Sequence, residues 1–460
     1  MLKTFASDKK AAFVLRPWNV VQIIPSLCVG VLLLSTFHLY NGAYFWLDDF
    51  NNLYWMQRVS FAQMLGQIVN PIPAFFRPVG MMCYWVLLRL FGLNSAPYHW
   101  LAWSFHTANT ALVYFLLRQF TKSRAGAAVG AMLFASQVVF ADLYWNFGTI
   151  FELLAAFFSF VGTLLWTSDH RGWWRVIFAS LALLLAMKAK EIAIMMPFVW
   201  ASYDLLLREN LKPRIAAHWL LPVVLALWYG VSKALASSTL MSGPNQPYFV
   251  RIDPSALIAG FGTYFNMLFR ANVSGLIWCV GVAVLLLLCL VLRNRLALFF
   301  QLYIFITFLP VIFMINHRFA FYWYLPFLGV CGLMAMLSKN VAKMIKTRNP
   351  LWLGKTAAYL VFALLCWATF LVHKRATTER SAIRDLGSEY RAFITGLETL
   401  APPPRGETIF FDSHPSYFDE KMLLSATSVA FHRTDLKVKL VSAFPSECAV
   451  SSSLSGLEPH

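Results

Sequence analysis

Apolar runs of roughly the length of a membrane helix recur along this chain, beginning near residues 18, 97, 125, 149, 174, 191, 216, 273, 296, 319 and 352. A spanning helix needs about 20 predominantly apolar residues, so eleven such runs predict an all-α polytopic membrane protein. Composition agrees. Of 460 residues, 59% are apolar, 16% aromatic and 13% charged, whereas a soluble chain carries about a quarter charged residues. A soluble enzyme, a disordered regulator and a secreted disulfide scaffold are all excluded. The seven cysteines sit mostly inside apolar runs, with neither zinc spacing nor a disulfide framework.

The first run follows Lys3, Lys9, Lys10 and Arg16 and offers no small-residue cleavage site at Phe37-His38-Leu39-Tyr40, so it is expected to stay as an anchor. Two further apolar stretches, 76–93 and 254–270, are expected to lie in the interface. With 76–93 kept out of the bilayer, 18 basic residues fall on the N-terminal side and nine on the other. Forcing it through would reverse most of that bias, against the positive-inside rule. The +17 charge is therefore an orienting device and no nucleic-acid patch. The N-terminus is placed in the cytoplasm and the C-terminus outside. Residues 1–372 form the membrane domain, with long outer loops at 41–96 and 236–272. Residues 373–460 form a small α/β appendage outside, with helix-like spacing from Arg375 to Leu400 and short strands at Thr408–Phe411 and Lys437–Val441.

Ten acids precede residue 373, and six of them map to the outer side: Asp48, Asp49, Asp142, Glu152, Glu191 and Asp253. Carboxylates near hydrocarbon are costly and are rarely kept without a partner or a task. The sharpest cluster is Trp46-Leu47-Asp48-Asp49-Phe50, where adjacent carboxylates repel and at least one calls for a cation, a metal or a shared proton. Lys188-Ala189-Lys190-Glu191 lies between two short runs, which places both lysines below the headgroups. Two cations beside one glutamate leave a positive charge suited to phosphate. Arg318 and Arg77 are further candidates, since Arg holds a phosphate bidentately. Acids together with phosphate-suited cations on one face fit group transfer from a lipid phosphate. Arg and Lys would stabilise the leaving group, and a carboxylate would deprotonate the acceptor hydroxyl. His99 and His106 share a helix face and read as interhelical hydrogen-bonding residues, because no third metal ligand is spaced to join them.

These residues resemble the GT-C glycosyltransferases that use polyprenyl-phosphate sugars, and most nearly the protein O-mannosyltransferases and their tetratricopeptide-bearing relatives. The motifs are Asp48-Asp49, Phe76-Arg77-Pro78-Val79, Pro97-Tyr98-His99, Lys190-Glu191 through Tyr203-Asp204, and Arg318 through Tyr324-Leu325-Pro326. In order they cover roughly residues 40–335. The resemblance implies a GT-C-like bundle of about eleven spans. It implies Asp48 or Asp49 as the catalytic acid, Asp142 as a second acid, and Arg318 with Lys188 or Lys190, and Arg77, on the donor phosphate. Glu191, Tyr322, Tyr324 and His99 would line the substrate site. Two features depart from the pattern: Gln137-Val138 stands where His-Pro is usual, and no tetratricopeptide repeat is present.

The expected activity is inverting transfer of a sugar, mannose among the candidates, from a polyprenyl phosphate to a hydroxyl of a protein, glycan or glycolipid. The rival is a flippase for a polyprenyl-linked glycan, which would favour charges through the membrane depth and related halves. The expected setting is a bacterial inner membrane, or the endoplasmic reticulum in a eukaryote. No cofactor is required by this reading, although Asp48 and Asp49 could hold a divalent ion.

Overall fold

A computed structural model describes residues 30, 33–34, 37, 40–70, 77–168, 172–208, 213–236, 243–348, 374 and 387–441. The apolar runs beginning near 18 and 352 lie outside these residues, apart from a few positions of the first. The other nine are helical. A short helix opens the first long loop, α1 (Leu47–Gln57), followed by α2 (Phe61–Val69) and α3 (Pro78–Phe91). The bundle then runs through α4 (Ala96–Thr121), α5 (Arg124–Ser136), α6 (Ile150–Trp166), α7 (Trp173–Ala189), α8 (Met196–Leu207) and α9 (Pro213–Ala236). After the second long loop come α10 (Pro254–Phe269), α11 (Gly275–Val291), α12 (Arg295–Ile312) and α13 (Phe327–Arg348).

Among the described residues, three segments are long and apolar enough to cross a membrane by themselves: Phe147–Trp166, Ala217–Leu235 and Arg295–Ile312. Helix α11 gives a second sign of lipid contact. It has no buried residue, and its exposed surface includes Leu276, Ile277, Val280, Val284 and Leu287. A helix apolar on every side and left uncovered by protein is a lipid-facing one. By contrast α3, at 14 residues, is about 21 Å long, well short of the hydrocarbon thickness of about 30 Å. Helices α6 and α7, α4 and α5, and α12 and α13 pack pairwise. Close approach is set by small residues where α5 meets α13. A side chain on Gly126 would come within 2.5 Å of the Ala335 carbonyl, and one on Gly130 within 2.9 Å of that of Cys331, a small-xxx-small seam.

The C-terminal module is built from a helix over 387–398, α14, then β1 (Thr408–Phe411), α15 (Glu420–Ala430) and β2 (Lys437–Leu440). The two strands pair in parallel, Thr408 opposite Lys437 and Phe411 opposite Leu440. A parallel pair needs a crossover, which α15 supplies. Its N-cap is Asp419, whose carboxylate accepts from the Met422 N–H at 2.7 Å. Both strands stand where alternation placed them, the second ending one residue earlier.

The module is docked onto α1. Phe50 packs edge-on to Phe418 and Tyr390, with ring centroids 5.6 and 6.3 Å away. Gln57 Nε2 donates to the Val429 carbonyl at 3.3 Å, and Arg58 Nη2 to that of Thr434 at 2.6 Å. Phe50, Leu53, Leu423 and Ala426 are fully buried in this seam. Each large side chain so buried contributes about 1.5–3 kcal/mol.

Candidate functional site

Helix α1 begins just after an extended segment, and its first turn carries Asp48 and Asp49, both favoured by the positive helix end. The two acids then part company. Asp49 is fully buried: Oδ2 accepts from the Trp46 N–H at 2.7 Å and Oδ1 from the Tyr84 hydroxyl at 2.5 Å. Asp48 is exposed and faces a cavity of about 800 Å³. Both oxygens of Asp49 thus accept hydrogen bonds from within the protein, whereas Asp48 is open to the cavity. Among the described residues no three His, Cys, Asp or Glu side chains are grouped to hold a metal.

Burial raises the Asp49 carboxyl to about 7, against the lowering effect of its hydrogen bonds from Tyr84 and Trp46. A carboxyl raised in the folded state binds its proton more tightly there than in the unfolded chain. Its stabilising contribution is full below the ordinary value of 3.8 and is lost as pH rises through about 7. The thermal midpoint of the wild type should thus fall more steeply between those values than that of Asp49→Asn, which does not titrate. Parallel melting curves across that range would refute the assignment.

The cavity is lined by residues of α1 together with Arg77, Asn146, Glu152, Lys190, Tyr248, His317, Phe319 and Phe321. Lys190 follows the last residue of α7, and its ammonium is paired with Glu152 in the first turn of α6. Both side chains are almost wholly buried, at 6% and 5% exposure. The Lys190 ammonium also lies 4.7 Å from the centroid of the Tyr322 ring, a cation–π contact. Arg77 Nε donates to Glu191 Oε2 at 3.2 Å, and Lys233 Nζ stands 3.8 Å from Oε1 of the same carboxylate. Three cations, Arg77, Lys190 and Lys233, thus face two carboxylates, Glu152 and Glu191, leaving one positive charge. The His317 ring lies tilted against that of Tyr248, with centroids 4.5 Å apart. Burial, with the charges of Lys190 and Arg77 close by, lowers its imidazole to about 4, so it is neutral at pH 7.

Of the residues singled out in the sequence, Asp48, Arg77, Glu152 and Lys190 meet at this cavity. Glu191 and Tyr322 support it from behind, through Arg77 and Lys190. The others lie outside its lining. Lys188 Nζ donates to the Asn70 carbonyl at 2.7 Å. Arg318 is held by the Met314 carbonyl at 3.1 Å and Thr263 Oγ1 at 3.0 Å. The Tyr324 hydroxyl bonds to His106 Nδ1 at 2.9 Å and Asn109 Nδ2 at 3.2 Å, an interhelical network. His99 is buried with its ring 6.4 Å from that of Phe147. Asp142 sits in a 3₁₀ turn, Val138–Tyr144, and the acid at the cavity is Glu152 instead. Residues passed over in the sequence also line it: Asn51, Asn52 and Trp55. Their spacing from Asp48, at i+3, i+4 and i+7, was the available signal.

No family model and no curated protein sequence matches the chain. A search of solved structures returns the crystal structure of ArnT from Cupriavidus metallidurans in the apo state, with a TM-score of 0.52 and 12% identity. The match covers 92% of this chain and 85% of that one. Identity this low carries architecture alone, and the narrower likeness to O-mannosyltransferases gains nothing from it. The chain is a polytopic helical membrane protein that shares the fold of that structure.

Proposed function

We propose that this protein is an inverting membrane glycosyltransferase that moves a sugar, mannose or another, from a polyprenyl phosphate to a hydroxyl acceptor. The reaction would take place on the outer face of a membrane, a bacterial inner membrane being the natural setting. The observation that carries the proposal is a single cavity lined by exposed Asp48 together with Arg77 and Lys190. In this reading Asp48 is the general base for the acceptor hydroxyl. Arg77 and Lys190 hold the donor phosphate and stabilise the charge that develops as it leaves. They take the place in this role of Arg318 and Lys188, which lie away from the cavity. The net positive charge of the Arg77–Lys190–Lys233 group supports a phosphate there, and the GT-C fold supports the reaction class.

The test is a reconstituted assay with purified protein and a labelled polyprenyl-phosphate sugar. Label appearing on an acceptor supports the enzyme, and label crossing the bilayer uncleaved would support a flippase and end this reading. Arg77→Lys keeps the charge but loses the guanidinium fork. It should lower donor kcat/KM by about 10–100-fold, the worth of one charged hydrogen bond. An unchanged kcat/KM would remove Arg77 from the donor site.

A further inference from the structure

Helix α1 turns one polar stripe toward the cavity. Asp48, Asn51, Asn52 and Trp55 all line it, together with Trp46. The opposite stripe, Asp49, Phe50, Leu53 and Met56, is buried. Helix α15 of the C-terminal module completes the wall. Its Met422 lines the cavity, and the Asn51 carboxamide is held at both ends by this helix. Asn51 Nδ2 donates to Met422 Sδ at 3.3 Å, and Oδ1 accepts from Ser425 Oγ at 2.7 Å. Trp55 remains 48% exposed, so an indole face is offered from a helix pinned along its length.

The chemistry of this wall is two indoles, two carboxamides, a thioether and the Leu47 side chain, with Asp48 its only charged group. The cations that line the cavity, Arg77 and Lys190, are engaged with Glu191 and Glu152. An anionic acceptor would meet Asp48 with no compensating charge beside it. An extended peptide commonly binds by adding to a sheet edge, and none of the residues lining the cavity belongs to a strand. A pyranose ring presents an apolar C–H face and hydroxyls that both donate and accept. Indole surface suits the first, and carboxamides, which carry a donor and an acceptor each, suit the second.

We infer that the wall built jointly by α1 and α15 is an acceptor subsite for a neutral sugar ring, so that the hydroxyl activated by Asp48 belongs to a carbohydrate. The inference rests on the transferase reading above. In the step, Asp48 takes the hydroxyl proton and the acceptor oxygen bonds to the anomeric carbon. The bond from that carbon to the phosphate oxygen breaks, and its electron pair leaves with the polyprenyl phosphate.

The test uses the full-length protein in nanodiscs. Saturation-transfer NMR with cellobiose, maltose and mannobiose should show binding of at least one disaccharide to the wild type. Trp55→Ala should weaken that binding about tenfold, and Trp55→Phe, which keeps an aromatic face, should retain most of it. Absence of binding with all three, or indifference to Trp55→Ala, overturns the subsite. Turnover is followed separately with polyprenyl-phosphate sugars against neutral glycolipids and Ser/Thr peptides. Glycolipid product, with acceptor KM raised and donor KM unchanged in Trp55→Ala, supports the inference. Product on peptides alone overturns it and leaves the transferase standing. Failure to cleave donor with either acceptor set refutes the transferase, and the NMR result then decides the subsite by itself.

Discussion

Asp48→Asn is expected to lower the rate of sugar transfer by about 10²–10⁴-fold, the usual worth of a positioned general base, while leaving the thermal midpoint close to that of the wild type. The reason is geometric. Asp48 is exposed to the cavity, and none of the hydrogen bonds that hold α1 in place runs through its carboxylate. Asparagine keeps the size and loses the proton acceptor. Asp49→Asn makes the complementary control. Its amide can no longer accept at both oxygens from Trp46 and Tyr84, so its effect should be on melting more than on kcat. Rates that fall equally in the two variants, with equal loss of melting temperature, would show the acids acting as one structural unit and end the assignment of Asp48 as base.

The second large effect is expected at the Lys190–Glu152 pair. Removing one partner of a buried ion pair leaves an uncompensated charge and costs about 3–5 kcal/mol. Glu152→Leu should therefore destabilise the protein by that order. The double variant Glu152→Leu/Lys190→Met, which removes both charges, should recover much of the loss, because the desolvation of both ions disappears with them. Donor binding separates the pair's two roles. The double variant should melt near the wild type yet bind a polyprenyl phosphate poorly, since the ammonium facing the cavity is gone. A double variant that melts as low as Glu152→Leu would indicate that the site needs the pair for its packing. One that binds donor normally would take Lys190 out of the phosphate site.

The sequence alone determined the membrane class, the order of the helices, the two short strand segments and the positions of the acids along the chain. These are local properties. An apolar run, a 3.6-residue period or a two-residue alternation is written in consecutive residues, which is why Thr408–Phe411 and Lys437–Leu440 stand where the pattern put them. The same locality placed Asp48 and Asp49 together at the start of α1 but could not separate them. That took Tyr84, 35 residues away, to claim one carboxylate. Nor could periodicity choose among the four candidate cations, Lys188, Lys190, Arg77 and Arg318. Lys188 and Lys190 differ by two residues, and α7 ends between them, so one turns to the Asn70 carbonyl and the other to Glu152. Arg77 reaches Glu191 across 114 residues, and Ser425 reaches Asn51 across 374. Which charge meets which is decided by how helices distant in sequence pack. A buried charge tolerates only the partner that packing delivers, and the tertiary structure therefore chose the members of the site from a list that the sequence had already made short.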